Sequence, residues 1–181
     1  MVKNNLQIAV FGGGCFWCTE AMLEELKGVE SVESGYSGGT VPNPTYEQVC
    51  GGKTGHAEVT RIKFNPEVIS YRQLLEVFFL THDPTTTDRQ GNDVGKQYRS
   101  VIFYSDESQK KEAENIIRQF TEEKIFPSPI VTKVEPLGEF YPAENYHQDY
   151  YSQNQDKPYC RIVINPKLDK FRKNFKELLK K

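Results

Sequence analysis

The stretch GGGCFWC, residues 12–18, joins a short apolar run to a helical pattern. The apolar run, residues 8–11, predicts a β-strand, and Met22 and Leu26 lie on one stripe of the helix predicted to follow. The three glycines permit a sharp turn of the backbone between strand and helix. The sequence therefore predicts that Cys15 stands where a helix begins.

A cysteine at a helix start has a distinctive electrostatic setting. Unpaired backbone N–H groups and the positive end of the helix dipole favour the thiolate of Cys15, which predicts a pKa below the usual value of about 8.5. A buried structural cysteine is the alternative interpretation. The glycine run favours a reactive cysteine, because a packed core gains nothing from so permissive a backbone.

The composition limits the class of protein. The chain has 181 residues, so we expect a single domain over residues 1–181. Its 23 basic and 25 acidic side chains give a net charge of −2. That balance argues against a nucleic-acid-binding protein, and the chain has no acidic block typical of a disordered tail.

The apolar runs of the sequence also indicate where the protein works. No run is long enough to span a membrane, and residues 1–5 lead into too few apolar residues for a secretory signal. We therefore expect a cytoplasmic protein that binds no membrane. We also expect it to be a monomer. In that compartment the four cysteines are reduced thiols rather than a disulfide framework.

The order of the predicted elements indicates the fold class. The predicted strands are residues 8–11, 29–36, 57–64, 99–104 and 130–134. The predicted helices begin after Cys15, after the capping box 70–73 and after a Ser105 cap, with others at 46–50, 146–153 and 167–181. This order predicts an α+β fold, a ferredoxin-like α/β plait (a two-layer sandwich) with a C-terminal extension.

Two further glycine-rich blocks carry polar side chains. GGKTGHAE, residues 51–58, brings His56 and Glu58 to the start of a strand, and GNDVGKQYRS, residues 91–100, closes a long polar loop. Taken alone, a carboxylate flanked by glycine is more often a turn or cap residue than a catalytic one.

Together the blocks resemble one family. GGGCFWC, GYSGGTVPNPTYEQVCGGKTGHAE, GNDVGKQYRS and YPAENYHQDY are similar to the marks of the A-type peptide methionine sulfoxide reductases, in the expected order from about residue 11 to about residue 150. The resemblance implies reduction of the S epimer of methionine sulfoxide, free or in proteins, with thioredoxin as the electron donor. We expect no cofactor and no metal.

The resemblance also assigns the reacting groups. Cys15 is implied as the nucleophile, and Glu58 as the acid that protonates the sulfoxide oxygen. Glu58 must then be held neutral by an apolar pocket near pH 7. Tyr46 and Tyr98 are implied to donate phenolic hydrogen bonds to the same oxygen.

The remaining implied residues shape the pocket. Phe16 and Trp17 would form an aromatic wall around the S-methyl group, where sulfur–aromatic contacts contribute about 0.3–1.5 kcal/mol. Ordinary core packing is the alternative for both rings. Asp93 would help to set the pocket and orient the sulfoxide.

The thiol that resolves the Cys15 sulfenic acid stays open between two candidates. Cys18 replaces the glycine common in this family and lies three residues from Cys15, where fraying of one helical turn allows a disulfide. Cys160 requires the C-terminal segment to fold over the pocket. The spacing favours Cys18, and Cys50 is predicted to be structural.

Two other classes of function compete with this hypothesis. The first is a thioredoxin-like disulfide oxidoreductase that uses Cys15 and Cys18, a pair that follows a strand and opens a helix. The second is a non-catalytic module that binds oxidised peptides. A zinc site is not predicted, because the chain has no second pair of cysteines at this spacing and no histidines spaced as a helical metal pair.

Overall fold

A computed structural model describes residues 5–181 of the chain. Residues 1–4, on which part of the expectation about a secretory signal rests, lie outside the described residues. Within residues 5–181, no helix is both long enough and apolar enough to cross a membrane.

Within residues 5–181, eight strands and six α-helices make a mixed α/β fold. The strands are β1 (Gln7–Gly13), β2 (Val29–Ser37), β3 (Ala57–Phe64), β4 (Arg89–Gln90), β5 (Asp93–Val94), β6 (Ser100–Tyr104), β7 (Lys133–Pro136) and β8 (Phe140–Pro142). The helices are α1 (Phe16–Leu23), α2 (Tyr46–Cys50), α3 (Tyr71–Thr81), α4 (Glu107–Glu122), α5 (Tyr150–Gln153) and α6 (Asn165–Asn174). Short 3₁₀ turns span Lys96–Tyr98, Asn145–His147 and Lys176–Leu178, and a π turn spans Cys160–Ile164.

Six of the strands form one mixed sheet in the order β7-β6-β1-β3-β2-β8. Its neighbours are antiparallel except for β6 and β7, which run parallel. Strands β4 and β5 pair separately inside the long loop predicted from the sequence. The sheet is mixed because β7 adds a parallel edge to an antiparallel centre.

The register brings several chain ends together at one end of the sheet. Phe11 of β1 pairs with Thr60 of β3, so the start of β3 lies beside the end of β1. Gly13 pairs with the first residue of β6, and Tyr36 of β2 pairs with Glu58. The beginning of α1 therefore lies close to the start of β3 and to the turn that enters β6.

Local signals account for the starts of α3 and α4 to within one residue. The side chain of Ser70 accepts from the Gln73 backbone N–H at the start of α3, which confirms the predicted capping box. The predicted cap of α4 is wrong by one residue. Asp106 accepts the Gln109 N–H at 2.8 Å, whereas Ser105 donates its own N–H to the Gln109 side chain.

The predicted strand at 130–134 also lies elsewhere, because β7 spans Lys133–Pro136. The N–H of Val131 donates to Pro84 at 2.8 Å, outside the sheet. Pairing with β6 begins only where Lys133 meets Val101. A long-range backbone contact therefore explains why the strand begins later in the sequence than the apolar run predicted.

The core lies between the sheet and the helices, and the C-terminal segment completes it. Ile164, Leu168 and Phe171 are buried in the main apolar cluster, where they pack with residues of α1 and α3. The predicted C-terminal helix is confirmed in position but is shorter, since α6 ends at Asn174. The segment that follows β8 therefore packs on α1 and covers part of it.

Candidate active site

The glycine run is required by close packing at the end of β1. Gly14 has φ +97°, and a Cβ atom there would lie 2.6 Å from the Gln90 side chain. A Cβ atom on Gly13 would lie 2.9 Å from the ring of Phe78. The chain can turn sharply from β1 into α1 only because these side chains are absent.

Cys15 is the residue immediately before α1, as the sequence predicts. Its backbone oxygen accepts the Cys18 N–H at 3.1 Å and the Thr19 hydroxyl at 3.2 Å. The predicted low pKa of Cys15 is wrong: burial, a hydrogen bond with Cys18 and the charge of Glu58 raise the pKa of this thiol well above its usual value. In the free protein Cys15 therefore holds its proton.

Glu58 contacts the beginning of α1 directly. Its Oε2 accepts the first N–H of α1, that of Phe16, at 3.1 Å, and so satisfies one of the free donors of the helix start. Glu58 is 1% exposed, and burial raises its pKa to about 8. The carboxyl is therefore predominantly protonated at pH 7, the state that the sequence-based mechanism requires.

Tyr46 and Tyr98 reach the same region from two different elements. Tyr46 opens α2, where its N–H donates to Glu144, and Tyr98 ends the 3₁₀ turn before β6. Burial is the main cause of the raised pKa of both phenols. The nearby charge of Glu58 is one of the further causes. Both hydroxyls therefore keep their protons and are available as hydrogen-bond donors.

The two aromatic rings after Cys15 differ in exposure. Phe16 is 1% exposed and packs against the rings of Tyr36 and His147. Trp17 is half-buried; it stacks on Tyr150 with 3.7 Å between centroids and donates its indole N–H to His147 at 3.0 Å. Trp17 thus presents the more accessible aromatic surface beside Cys15.

Asp93, on β5, ties the long loop to the C-terminal segment. Its carboxylate accepts the Tyr159 hydroxyl at 2.9 Å, and the same phenol oxygen lies 3.8 Å from the Cys18 sulfur. The sequence implies a role for Asp93 but does not single out Tyr159. Its position directly before Cys160, in KPYC, was the available signal.

The four cysteines are free thiols in different surroundings. Cys18 and Cys160 are both buried in the main apolar cluster, at 3% and 0% exposure. The C-terminal segment therefore does reach the first turn of α1, a contact that the sequence left open. Cys50 is exposed at the end of α2, so the prediction that it is structural is wrong.

Two of the three histidines, His56 and His82, make hydrogen bonds with the fold at both ring nitrogens. His56 accepts the Gly39 N–H at 3.0 Å and donates to the Val41 carbonyl at 2.7 Å. His82 lies between the Phe78 carbonyl and the Ser100 hydroxyl, and burial lowers its pKa to about 4. Both imidazoles are committed to partners within the fold.

One cluster in residues 5–181 brings together three groups of the kind that bind metals. Glu20 of α1, Glu24 directly after α1 and Asp149 directly before α5 place carboxyl oxygens within 4.8 Å of one another. Glu20 and Glu24 lie towards the end of α1 remote from Cys15, and Asp149 stands in the motif YPAENYHQDY but was not predicted as a site residue.

The comparison with known families agrees with this geometry. A family model described as peptide methionine sulfoxide reductase matches residues 7–179, which include every element of the site. The chain belongs to the peptide methionine sulfoxide reductase family.

Individual relatives of this reductase cover nearly its whole length. It is 57% identical over 170 residues to peptide methionine sulfoxide reductase MsrA of Sulfolobus acidocaldarius, covering 94% of this chain and 96% of that protein. It is also 55% identical over 174 residues to MsrA of Chromobacterium violaceum, covering 96% and 99%.

A solved structure supports the same assignment of the reductase fold. Reduced Mxr1 of Saccharomyces cerevisiae is 36% identical, with a TM-score of 0.78 over 86% of this chain and 89% of that one. Mxr1 in complex with Trx2 is 26% identical, with a TM-score of 0.55 over 80% and 84% of the two chains. Membership of the reductase family does not favour the thioredoxin-like alternative for Cys15 and Cys18.

The reductase site also contains residues that the sequence did not single out. Lys167 of α6 places its Nζ 3.9 Å from the Cys18 sulfur. Tyr150 stacks on Trp17, and Tyr36 faces Glu58 across β2 and β3. Only the tertiary fold brings these side chains to the beginning of α1.

Proposed function

We propose that this chain reduces the S epimer of methionine sulfoxide, free or within proteins, to methionine, and that thioredoxin returns the oxidised enzyme to its dithiol form. The family match supports the reaction. The complex of the related Mxr1 with Trx2 supports the reductant. This activity repairs oxidised methionine, the reversible lesion of the methionine oxidation ladder.

The single observation that carries the proposal is a neutral buried acid beside a thiol. Glu58 is 1% exposed with a pKa of about 8, and it accepts the N–H of the residue next to Cys15. A sulfoxide sulfur becomes a good electrophile only when its oxygen is protonated or strongly hydrogen-bonded. A protonated carboxyl beside the nucleophile supplies that proton.

The first half-reaction balances without an external proton. The Cys15 sulfur attacks the sulfoxide sulfur and forms an S–S bond while Glu58 donates its proton to the sulfoxide oxygen. The protonated oxygen then transfers to the Cys15 sulfur as the S–O bond of the substrate and this S–S bond break, so methionine leaves and Cys15 becomes a sulfenic acid. The proton lost by the Cys15 thiol restores Glu58, so a neutral thiol in the free enzyme suits this cycle.

The other site residues orient and stabilise the sulfoxide. Tyr46 and Tyr98, both protonated phenols, donate hydrogen bonds to the oxygen as charge develops on it. Trp17 and Phe16 form the aromatic surface around the S-methyl group. Asp93 fixes the long loop to the C-terminal segment through its hydrogen bond with Tyr159. No step in this scheme requires a cofactor or a metal.

The second half-reaction converts the sulfenic acid into a disulfide. A second thiol condenses with Cys15, water leaves, and an external dithiol reduces the disulfide. We favour Cys18 as that thiol, because it lies in the first turn of α1 and the Cys15 thiol beside it is the largest cause of its lowered pKa. Cys160 is the alternative, since it is buried in the same cluster.

The decisive experiment measures turnover with each separated epimer of a methionine sulfoxide peptide. We expect turnover of the S epimer with thioredoxin, and no turnover of the R epimer. Binding of the peptide without turnover would instead support the non-catalytic module. Turnover of both epimers would contradict the assigned specificity.

The resolving thiol is tested with two variants and two reductants. Cys18→Ser is expected to lose the thioredoxin-driven rate while turnover with a small dithiol persists. Cys160→Ser is the matched control and is expected to keep both rates. If only Cys160→Ser loses the thioredoxin-driven rate, Cys160 is the resolving thiol.

We also propose the arrangement of the fold, the domain organisation and the state in which the chain works. The arrangement is a ferredoxin-like plait in which β1, β2, β3 and β6 form the four-stranded centre; their order in the sheet supports it. The chain acts as one domain over residues 1–181, supported by the continuous cluster that links α1, α3 and α6. It works as a cytoplasmic monomer.

A further inference from the structure

The C-terminal segment covers Cys18 with two polar side chains. The Lys167 Nζ lies 3.9 Å from the Cys18 sulfur, and the Tyr159 hydroxyl lies 3.8 Å from it. Cys18 itself is 3% exposed, so these groups stand in place of solvent. The reaction scheme above uses Cys18 but not Lys167.

The π turn explains how both side chains reach one sulfur. Tyr159 and Lys167 are eight residues apart, which in a regular α-helix places them about 80° apart around the axis. The π turn Cys160–Ile164 lies between them, and its wider turn takes up one additional residue. Such turns are frequent at functional sites, and this one brings both groups to the side that faces α1.

The charges around Cys18 leave Lys167 in a distinct role. The titratable groups that act on Cys18 or respond to it are Cys15, Glu58, Asp93, Tyr159, Cys160 and Lys167. Among residues 5–181, Lys167 is the cation within hydrogen-bond distance of its sulfur. The Tyr159 hydroxyl donates its hydrogen bond to Asp93, so the ammonium is the positive partner for the sulfur.

We propose that Lys167 is a positioning residue that holds Cys18 as a thiolate, ready to attack the sulfenic acid formed on Cys15. The proposal rests on the function proposed above, with Cys18 as the resolving thiol. The Lys167 charge does not contact the sulfoxide and acts only through Cys18.

The chemistry needs an anionic sulfur at this position. The Cys18 thiolate attacks the Cys15 sulfur, a new S–S bond forms, and the S–O bond of the sulfenic acid breaks. Hydroxide leaves and is protonated to water, so Cys18 is oxidised as the Cys15 sulfenic sulfur is reduced. A hydrogen bond from Cys15 and then the Lys167 charge outweigh burial and lower the pKa of Cys18 to about 7, in keeping with this role.

Site-resolved alkylation tests the proposal directly. The reduced protein is labelled sub-stoichiometrically with iodoacetamide between pH 5 and 10, and the Cys18 peptide is quantified by mass spectrometry. We expect Lys167→Met to raise the midpoint for Cys18 by about one pH unit, because an opposite charge at this range shifts a pKa by that order. Lys167→Arg is expected to restore most of the shift.

Lys170→Met is the matched control. Lys170 lies one turn further along α6 and lines the same cleft of about 300 Å³ as Lys167, but it is exposed and makes no hydrogen bond to Cys18. We expect its alkylation profile to equal that of the unchanged protein. Thermal unfolding of each variant checks that α6 remains packed.

A single-turnover measurement separates the two half-reactions. Below neutral pH, Lys167→Met is expected to slow formation of the Cys15–Cys18 disulfide by about threefold, because the thiolate fraction falls about tenfold while its nucleophilicity rises about threefold. Methionine release in the first turnover is expected to stay unchanged. Failure of the unchanged enzyme to release methionine would instead overturn the proposed function, whereas the alkylation result stands by itself.

Two results would overturn the proposal for Lys167. The first is an alkylation profile of Lys167→Met that matches the unchanged protein while the fold is retained. The second is an equal shift in Lys170→Met, which would assign the effect to the general charge of α6.

Discussion

Two buried carboxyls lie at opposite ends of α1, and their surroundings separate an active-site acid from a structural one. Glu58 contacts the beginning of α1 and Glu20 lies in its second turn; each is 1% exposed. Burial raises the pKa of Glu58 to about 8 and that of Glu20 to about 7. By burial and acidity alone the two groups are nearly alike.

Their neighbours differ. Glu58 lies beside a thiol and two phenols, so its proton can pass to a bound oxygen. Glu20 faces two further carboxyls, Glu24 and Asp149, within 4.8 Å. A raised pKa therefore marks a buried acid, and the group beside it decides whether the acid can do chemistry.

Removal of the nucleophile is expected to have the largest effect. Cys15→Ser leaves the Glu58 end of α1 with its acid and phenols but without a soft sulfur to attack the sulfoxide. We expect kcat/KM for the S epimer to fall by at least roughly 10³-fold. Binding of the sulfoxide peptide, measured by calorimetry, is expected to persist, and substantial residual turnover would refute the role of Cys15.

The two carboxyls can be compared by the same substitution. Glu58→Gln is expected to lower kcat/KM by about 10²-fold or more, because the amide cannot donate an acidic proton. Glu20→Gln is the matched control, expected to leave kcat/KM within about threefold. Glu58→Gln is also expected to retain disulfide formation by Cys15 after peroxide treatment. Equal losses of kcat/KM in the two variants would contradict a specific role of Glu58 as the proton donor.

The phenols are what the Glu20 end lacks. Tyr46→Phe and Tyr98→Phe each remove one donor to the sulfoxide oxygen, so we expect each to lower kcat by about 10-fold to 100-fold. Steady-state assays with the S epimer measure the loss. A rise in KM with kcat unchanged would mean that the phenols bind the substrate equally in ground state and transition state.

Glu20 is expected to affect the pH dependence of the free energy of unfolding. Its folded pKa of about 7 exceeds the usual 4.5, so its contribution to stability is fully present below pH 4.5 and is lost as the pH rises through 7. The free energy of unfolding of Glu20→Gln, relative to that of the unchanged protein, is therefore expected to rise by on the order of 1–2 kcal/mol from pH 4.5 to pH 8. Urea unfolding at both pH values measures it, and a constant difference would contradict the assignment.

Local patterns predicted the elements that are set by neighbouring residues. The glycine run before Cys15 and the capping box at Ser70 specify structure within a few residues, so the sequence shows them directly. The strand predicted at 130–134 is found at Lys133–Pro136. Its position depends on backbone hydrogen bonding of Val131 to Pro84 and on pairing with β6. Contacts of that range leave no periodic trace in the sequence.

The sequence by itself determined that a cysteine stands at the start of a helix, that an acid opens a nearby strand, and that both belong to a sulfoxide reductase. The tertiary structure alone decided which groups carry protons. It placed Glu58 against the Phe16 N–H, 42 residues away, and Lys167 against Cys18, 149 residues away. Acidity depends on the loss of water and on nearby charge, and both are set by what the fold packs around a group.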